Sequence, residues 1–286
     1  MEHTSPLKGK ARSSAVTVMR SLAACTVLLV ALSACGGGNP KLTRDTPPEL
    51  AASSQDVASL VRLANGLMER GELMTAIALY QRAAALSDDS KELVLLGRAL
   101  EQAGANEYAS GAYRRALSRD PDNPDALLGL GTSFLALGDV NRSIQYLEQL
   151  VNQGDGTESL RYAALGAALD IAGRHEQAVA TYTAGLEVVP GDLDLKSNLA
   201  LSYAFYDRHN EAITLMIEVA DALEARRSHH RNLVLILALA GQSRDAVTTG
   251  LRLLGEQETQ DIMTQAASVR ELDSGADRAR AIGLGL

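Results

Sequence analysis

A unit of 33 to 35 residues recurs along most of this sequence and constrains the fold more than any other feature. A small or aliphatic residue marks the same position in six consecutive units, with steps of 33, 34, 35, 34 and 34 residues. These reference residues are Ala64, Gly97, Gly131, Gly166, Ala200 and Val234. A fixed period of this length is typical of repeat proteins, in which each unit covers its apolar surface only by stacking on its neighbours.

Three further positions keep the same phase. A turn-forming residue stands seven residues after each reference residue, a small residue twelve after it, and usually a bulky residue sixteen after it. The turn-forming residues are Gly71, Gly104, Gly138, Gly173, Asp207 and Gly241. The small residues are Ala76, Ala109, Ser143, Ala178, Ala212 and Ala246, and the bulky ones are Tyr80, Tyr113, Leu147, Tyr182 and Met216, with Gly250 as the exception. Each unit is therefore predicted to be two helices joined by a turn.

This pattern resembles the tetratricopeptide repeat (TPR) family over about residues 57–256. The resemblance implies an all-α, right-handed superhelix (an α-solenoid) of about six helix-turn-helix repeats, with a concave face that binds other proteins. Residues 257–272 are amphipathic and predict a C-terminal capping helix. Residues 273–286 are predicted to form a flexible tail.

The amino terminus has the pattern of a signal peptide, over residues 1–34. Arg20 precedes an apolar stretch of about fourteen residues, which is shorter than the roughly 20 needed to span a bilayer. The sequence Leu-Ser-Ala-Cys, ending at Cys35, resembles the bacterial lipobox, and this implies cleavage before Cys35 and acylation of its thiol. An ordinary secretory signal is the alternative, and Met19 is an alternative start to Met1.

The segment after the lipobox, residues 35–56, is rich in Gly, Pro, Ser and Thr and is predicted to be a flexible, lipidated tether. Gly36 follows the cysteine, where an Asp would be associated with inner-membrane retention in the enterobacterial sorting rule. The resemblance therefore implies an anchor in the outer membrane, with the folded part facing the periplasm and only the acyl chains touching the membrane.

No arrangement typical of catalysis or metal binding is present in the sequence. Both cysteines lie within the first 35 residues, so the repeats hold no thiol for a disulfide, a zinc site or a nucleophile. His175 and His209 are expected to face solvent at turns, and His229 and His230 to belong to a solvated basic patch, since adjacent helical residues point about 100° apart. The sequence predicts no enzyme activity, no metal, no cofactor and no small-molecule substrate.

The charge of the chain bears on its partners. The formal net charge is −8, and the first 34 residues carry +3 (four basic residues against one Glu), which leaves −11 for the rest. An acidic protein disfavours nucleic acid as a partner.

The concave face of TPR proteins is formed mainly by the first helix of each unit, at positions one, four and five after the reference residue and two and three before it. The predicted groove residues are Arg62, Asn65, Arg98, Leu128, Thr132, Leu135, Ala167, Ile171, Asn198, Leu201, Phe205, Asn232 and Leu235. A groove that is apolar at its centre and polar toward its ends is suited to the apolar face of a partner helix. Replacing Leu135 or Phe205 should then weaken binding without unfolding the protein. Alternatively, several of these leucines only pack between units.

A lipobox, a short tether and TPR units that contain Ala- and Leu-rich motifs, at residues 198–204 and 232–241, together resemble the TPR lipoproteins of the Flp (Tad) pilus assembly system. In that family the lipoprotein is thought to help the secretin channel to localise and assemble at the outer membrane. The resemblance implies that the groove binds a helical or extended segment of a secretin. A general envelope scaffold, serving outer-membrane protein insertion or peptidoglycan machinery, is the alternative.

Overall fold

The protein is described by a computed structural model over residues 54–154 and 159–283. The predicted signal peptide, Cys35 and nearly all of the predicted tether lie outside these residues. The described residues form fourteen α-helices and no strand: α1 Ser54–Glu69, α2 Leu73–Leu86, α3 Ser90–Gln102, α4 Asn106–Arg119, α5 Pro124–Ala136, α6 Val140–Asn152, α7 Ser159–Ile171, α8 His175–Val188, α9 Leu193–Phe205, α10 His209–Ala220, α11 Arg227–Leu239, α12 Ser243–Leu253, α13 Glu256–Arg270 and α14 Gly275–Ile282. None of these helices is long and apolar enough to cross a membrane.

The first twelve helices form six consecutive pairs that coincide with the six predicted units. The residue predicted to form the turn within each pair has a positive φ in all six, between 60° at Asp207 and 78° at Gly138. Asp207 is the one non-glycine residue with a positive φ in the described part of the chain. Asp adopts this left-handed conformation more readily than most residues, which explains how it can replace the glycine.

The recurring glycines and tyrosines contact each other. A Cβ atom on Gly97 would lie 2.5 Å from the ring of Tyr113, and one on Gly129 in the next pair would lie 2.2 Å from the same ring. Gly166 and Tyr182 repeat this contact, with a distance of 2.3 Å. Each of these fully buried tyrosine rings thus fills space that only a residue without a side chain leaves open.

The helices form two layers. The first helices of successive pairs contact one another directly, from α3 through α5, α7, α9 and α11 to α13. Each second helix contacts its own first helix and the first helix of the next pair. This arrangement places the first helices together on one surface, where the sequence predicted the groove.

The carboxy terminus differs from the prediction. Helix α13 packs against α11 and α12 and buries Ile262, Ala266 and Val269, as a capping helix should. Where the sequence predicted a flexible tail from residue 273, the structure has helix α14, which contacts α7, α9 and α13. The Ser274 hydroxyl accepts a hydrogen bond from the Asp277 amide and caps this helix. Two of its packing partners, α7 and α9, lie far back in the chain, so the local sequence pattern does not reveal them.

Candidate functional site

Two clefts open on the surface formed by the first helices. The amino-terminal cleft has a volume of about 640 Å³ and lies between α3, α5 and α7. The carboxy-terminal cleft has a volume of about 510 Å³ and is bordered by α7, α9, α11 and α13. Leu160 and Gly283 line both clefts, so the two are neighbours.

The amino-terminal cleft has an aliphatic lining and a charged edge. Its aliphatic residues include half-buried Leu128, Leu135 and Ile171. At the edge, Arg98 donates to the Asp125 carboxylate at 2.7 Å, and both side chains are more than half exposed. Such a lining can take up aliphatic side chains, while the edge remains hydrated.

Glu101 lies in the amino-terminal cleft, and its carboxylate is satisfied by the protein. It accepts hydrogen bonds from the Tyr113 hydroxyl at 2.7 Å and from the hydroxyls of Thr132 and Ser133, both at 2.9 Å. Burial, reinforced by the charge of Glu101, raises the pKa of Tyr113 far above its usual value. The tyrosine therefore stays protonated, and this network fixes the wall of the cleft.

The carboxy-terminal cleft is more polar. Asp194 accepts hydrogen bonds from the Arg226 guanidinium and from His229 Nε2, the latter at 2.9 Å. Burial alone would raise the pKa of Asp194, but these hydrogen bonds outweigh it and lower the pKa. The Asn232 amide donates to the Ser197 hydroxyl at 2.9 Å, and Asn198 also lines the cleft.

The sequence predicted that His229 belongs to a solvated basic patch, but the structure buries this side chain. Its side chain is only 3% exposed, and its Nδ1 accepts a hydrogen bond from the Arg226 amide at 3.1 Å. With Nδ1 as acceptor and Nε2 directed at Asp194, the ring helps to cap the start of α11. The cap requires this side chain to turn inward.

A second carboxylate network is buried where α7, α8 and α9 meet. Asp170 is fully buried and accepts hydrogen bonds from His175 Nδ1 at 2.7 Å, the Ser202 hydroxyl at 2.9 Å and the Tyr182 hydroxyl at 3.2 Å. Burial raises the pKa of Asp170, and these hydrogen bonds oppose that rise.

His175 was expected to face solvent, but the structure buries it. The ring stands edge-on to Tyr206, with centroids 3.8 Å apart. The hydrogen bond between its Nδ1 and the Asp170 carboxylate satisfies the buried imidazole. Sequence reasoning missed this network, although it carries a signal: Glu101 and Asp170 both stand four residues after a reference glycine and twelve before a tyrosine.

The structure brings most of the predicted groove residues to the two clefts. The amino-terminal cleft is lined by Arg98, Leu128, Thr132, Leu135 and Ile171, and the carboxy-terminal cleft by Asn198, Leu201, Asn232 and Leu235. Arg62 and Asn65 lie on α1, outside both clefts. Ala167 and Phe205 are 1% and 2% exposed and belong to a core cluster that also contains Ala279 of α14. Replacing Phe205 would therefore destabilise the fold, contrary to the expectation from sequence.

The described residues hold no group of three or more His, Cys, Asp or Glu side chains placed to bind a metal ion. The carboxylates of the two networks are occupied by tyrosine, serine, threonine and histidine donors. These hydrogen bonds link α3 to α4 and α5, and α7 to α8 and α9.

Comparison with known proteins agrees with this architecture. Residues 94–158 match the tetratricopeptide repeat family. No curated protein sequence matches the chain. Among solved structures, the chain is similar to PilW, a widely conserved type IV pilus biogenesis factor, with a TM-score of 0.64 and 17% identity over 74% of this chain and 100% of PilW.

Two further structures show the same similarity. PilF of Pseudomonas aeruginosa gives a TM-score of 0.58 and 16% identity over 73% of this chain and 97% of PilF. A tetratricopeptide repeat protein from Parabacteroides merdae gives a TM-score of 0.63 and 14% identity over 81% of this chain and 94% of that protein. At these identities the similarity is one of fold, and it confirms the predicted all-α TPR solenoid.

Proposed function

We propose that this protein is a lipid-anchored adaptor of the bacterial envelope that binds a segment of another protein during pilus assembly. The observation that carries the proposal is the pair of clefts on the first-helix surface, one lined by aliphatic side chains and one by amides and charged groups. The structural similarity to PilW, a type IV pilus biogenesis factor, supports the pilus part of the proposal.

The chemistry of the clefts favours a peptide segment as the ligand. Leu128, Leu135 and Ile171 offer aliphatic contacts, and each large aliphatic side chain that a partner buries there contributes about 1.5 to 3 kcal/mol. Asn198 and Asn232 offer hydrogen bonds to polar groups of the same segment. This combination suits an amphipathic helix.

The proposal includes a specific membrane anchor and a specific partner. Acyl chains on Cys35 hold the protein at the outer membrane, and a tether of ~20 residues gives the TPR stack a reach of about 25 Å. The partner is a helical or extended segment of the secretin of an Flp (Tad) pilus. Binding near the membrane surface would keep the secretin where it assembles.

Site-specific photocrosslinking in cells tests this proposal. A photoreactive residue is placed at Leu135 in one cleft, at Asn198 in the other, and at exposed Arg115 on the second helix α4 as the matched control. We expect a secretin adduct from the cleft positions and none from Arg115. Adducts with insertion machinery or peptidoglycan enzymes would replace the pilus proposal by the general scaffold, and equal labelling from Arg115 would overturn the assignment of the surface.

The anchor is tested separately with Cys35→Ser. The unaltered protein should sediment with outer membranes, and the variant should not. A Cys35→Ser protein that still sediments with outer membranes would contradict acylation at this residue.

A further inference from the structure

Helix α14 lies on the same surface as the two clefts. It packs against α7 and α9, and Gly283, directly after it, lines both clefts. Ile282 lines the carboxy-terminal cleft and packs on the core beneath. The chain's own carboxy-terminal helix therefore occupies the middle of the surface to which the proposed function assigns a partner.

Two arginines hold α14 by the ends of neighbouring helices. Arg280 donates to the carbonyl oxygen of Ile171, the last residue of α7, at 2.9 Å. Arg278 donates to the carbonyl oxygen of Phe205, the last residue of α9, at 3.3 Å, and to the Asp207 carboxylate at 2.8 Å. The final carbonyls of a helix lack partners within the helix and carry partial negative charge, so they attract guanidinium groups.

Small residues bring α14 close to the surface. Ala279, between the two arginines, is completely buried. A Cβ atom on Gly275 would lie 2.6 Å from His175 Nε2 and 3.0 Å from the carbonyl oxygen of Phe205. The His175 ring is held by Asp170 and Tyr206 and has little freedom to move. Glycine is therefore required at this position by the space available.

Helix α14 is short, and only part of it is buried. The helix has eight residues, too few to be stable alone in water, and Ala279 is its one fully buried residue. The Arg280 side chain is about half exposed, whereas that of Arg278 is 19% exposed, so the contact of Arg280 contributes less stability. Because α14 is the last helix of the described residues, the contacts among α1 to α13 do not run through it.

We propose that the surface covered by α14 is a docking site for a basic partner helix in which arginines flank a small residue, and that α14 fills this site in the free protein. The inference rests on the proposed function, because it names the kind of segment that the surface binds. The helix ends of α7 and α9 supply the acceptors, and the net charge of −8 favours a basic ligand.

A reversible covalent lock tests the inference in the full chain. A Cβ atom on Gly173 would lie 3.5 Å from that of Ala276, within the range spanned by a disulfide. The protein with Gly173→Cys and Ala276→Cys, in a background in which Cys25 and Cys35 are serine, is mixed with a fluorescent peptide of residues 273–286. We expect the reduced protein to bind the peptide at least tenfold more tightly than the oxidised protein. Gly173 has a φ of 75°, so the single variant Gly173→Cys, which carries the same strained turn, is the control and should be indifferent to reductant.

A second variant releases α14 by a different route. Gly275→Leu should also bind the peptide about tenfold more tightly than the unaltered chain, because the fraction of molecules with an open site rises. Gly111→Ala is the control, since a Cβ atom there contacts nothing within 4 Å. A peptide with alanine in place of both arginines should bind at least tenfold more weakly. Circular dichroism in each state checks that the stack remains folded.

The remaining outcomes separate this inference from the proposed function. Equal peptide binding by the oxidised and reduced lock, together with no effect of Gly275→Leu, would show that α14 covers no docking site. A dimer formed by exchange of α14 would assign the site to a second copy instead of a partner. In cells, the lock is placed in a chain that keeps Cys35, so that the anchor is present. Secretin crosslinking from Asn198, which lines the same cleft as Ile282, that the lock leaves unchanged would overturn the inference while the proposed function stands. Peptide binding without any secretin adduct would do the reverse.

Discussion

Two regions of the stack build the same carboxylate network and use it differently. In each, a carboxylate four residues after the reference glycine accepts from a tyrosine of its own unit and from a serine of the next. The groups are Glu101, Tyr113 and Ser133 in the open region (α3–α6), and Asp170, Tyr182 and Ser202 in the covered region (α7–α10). Glu101 remains partly exposed to a cleft, whereas Asp170 is fully buried beside His175.

The difference comes from what covers each network. The longer side chain of Glu101 reaches the amino-terminal cleft, and no helix lies over it within the described residues. Asp170 is shorter and lies beneath His175, which in turn contacts Gly275 at the start of α14. The same repeat position thus forms the wall of an open cleft in one region and part of the core in the other.

The largest expected contrast is between Asp170→Ala and Glu101→Ala. The first leaves the donors of three buried side chains unpaired, and we expect a loss of about 3 to 5 kcal/mol in the free energy of unfolding. The second should cost about 1 to 2 kcal/mol, because water in the cleft can replace the carboxylate. Urea denaturation of both variants measures this, and equal losses would contradict the distinction between the regions.

Phe205 and Leu135 were both predicted to line the groove, and replacing each of them tests the difference between the covered region and the open region. Phe205→Ala should lower the free energy of unfolding by about 3 to 5 kcal/mol, because the ring is 2% exposed. Leu135→Ala should lower it by about 1 kcal/mol, since the side chain is half-buried in a cleft. Denaturation midpoints report both effects. A larger loss for Leu135→Ala would mean that the cleft is closed in solution.

The glycines that face the tyrosines should behave alike in both regions. Gly97→Ala and Gly166→Ala each place a methyl group within 2.5 Å or less of a buried ring, and overpacking of this kind costs about 1 to 3 kcal/mol. Gly111→Ala, on an open part of α4, should instead stabilise the protein by about 0.5 to 1 kcal/mol. Thermal melts of the three variants check the signs. A neutral Gly166→Ala would show that the covered region packs more loosely than described.

The smallest expected effect is on the pH dependence of stability. The raised pKa of Asp170 means that the folded state binds a proton more tightly than the unfolded state, so the free energy of unfolding should fall as the pH rises from 3.8 through the raised pKa. The lowered pKa of Asp194 has the opposite sign: its contribution is present above pH 3.8 and is lost as the pH falls through the lower pKa.

Denaturation of Asp170→Asn and Asp194→Asn between pH 3 and 7 separates these two contributions. The first variant should lose the decline of stability with rising pH, and the second should lose part of the destabilisation by acid. Parallel curves for the two variants would contradict the opposite shifts of their pKa values.

Much of the fold could be predicted because it depends on residues that are near in sequence. The turn at Gly138, the small residue at Gly166 and the ring at Tyr182 each act on their own unit or the next, so a period of about 34 residues reveals them. Most of the cleft residues, Leu135 and Asn232 among them, follow from the same phase. The partner and the membrane anchor remain predictions from resemblance.

The sequence by itself determined the six helix pairs, their turns and the surface on which the first helices meet. These features depend on contacts within one unit or between adjacent units, and such contacts recur with the period of the sequence. Only the tertiary structure decided that His175 turns inward to Asp170, that Phe205 belongs to the core, and that residues 275–282 form a helix on α7 and α9. The reason is distance along the chain. Arg280 meets Ile171 across 109 residues, and this contact depends on the geometry of the assembled stack, which no local pattern encodes.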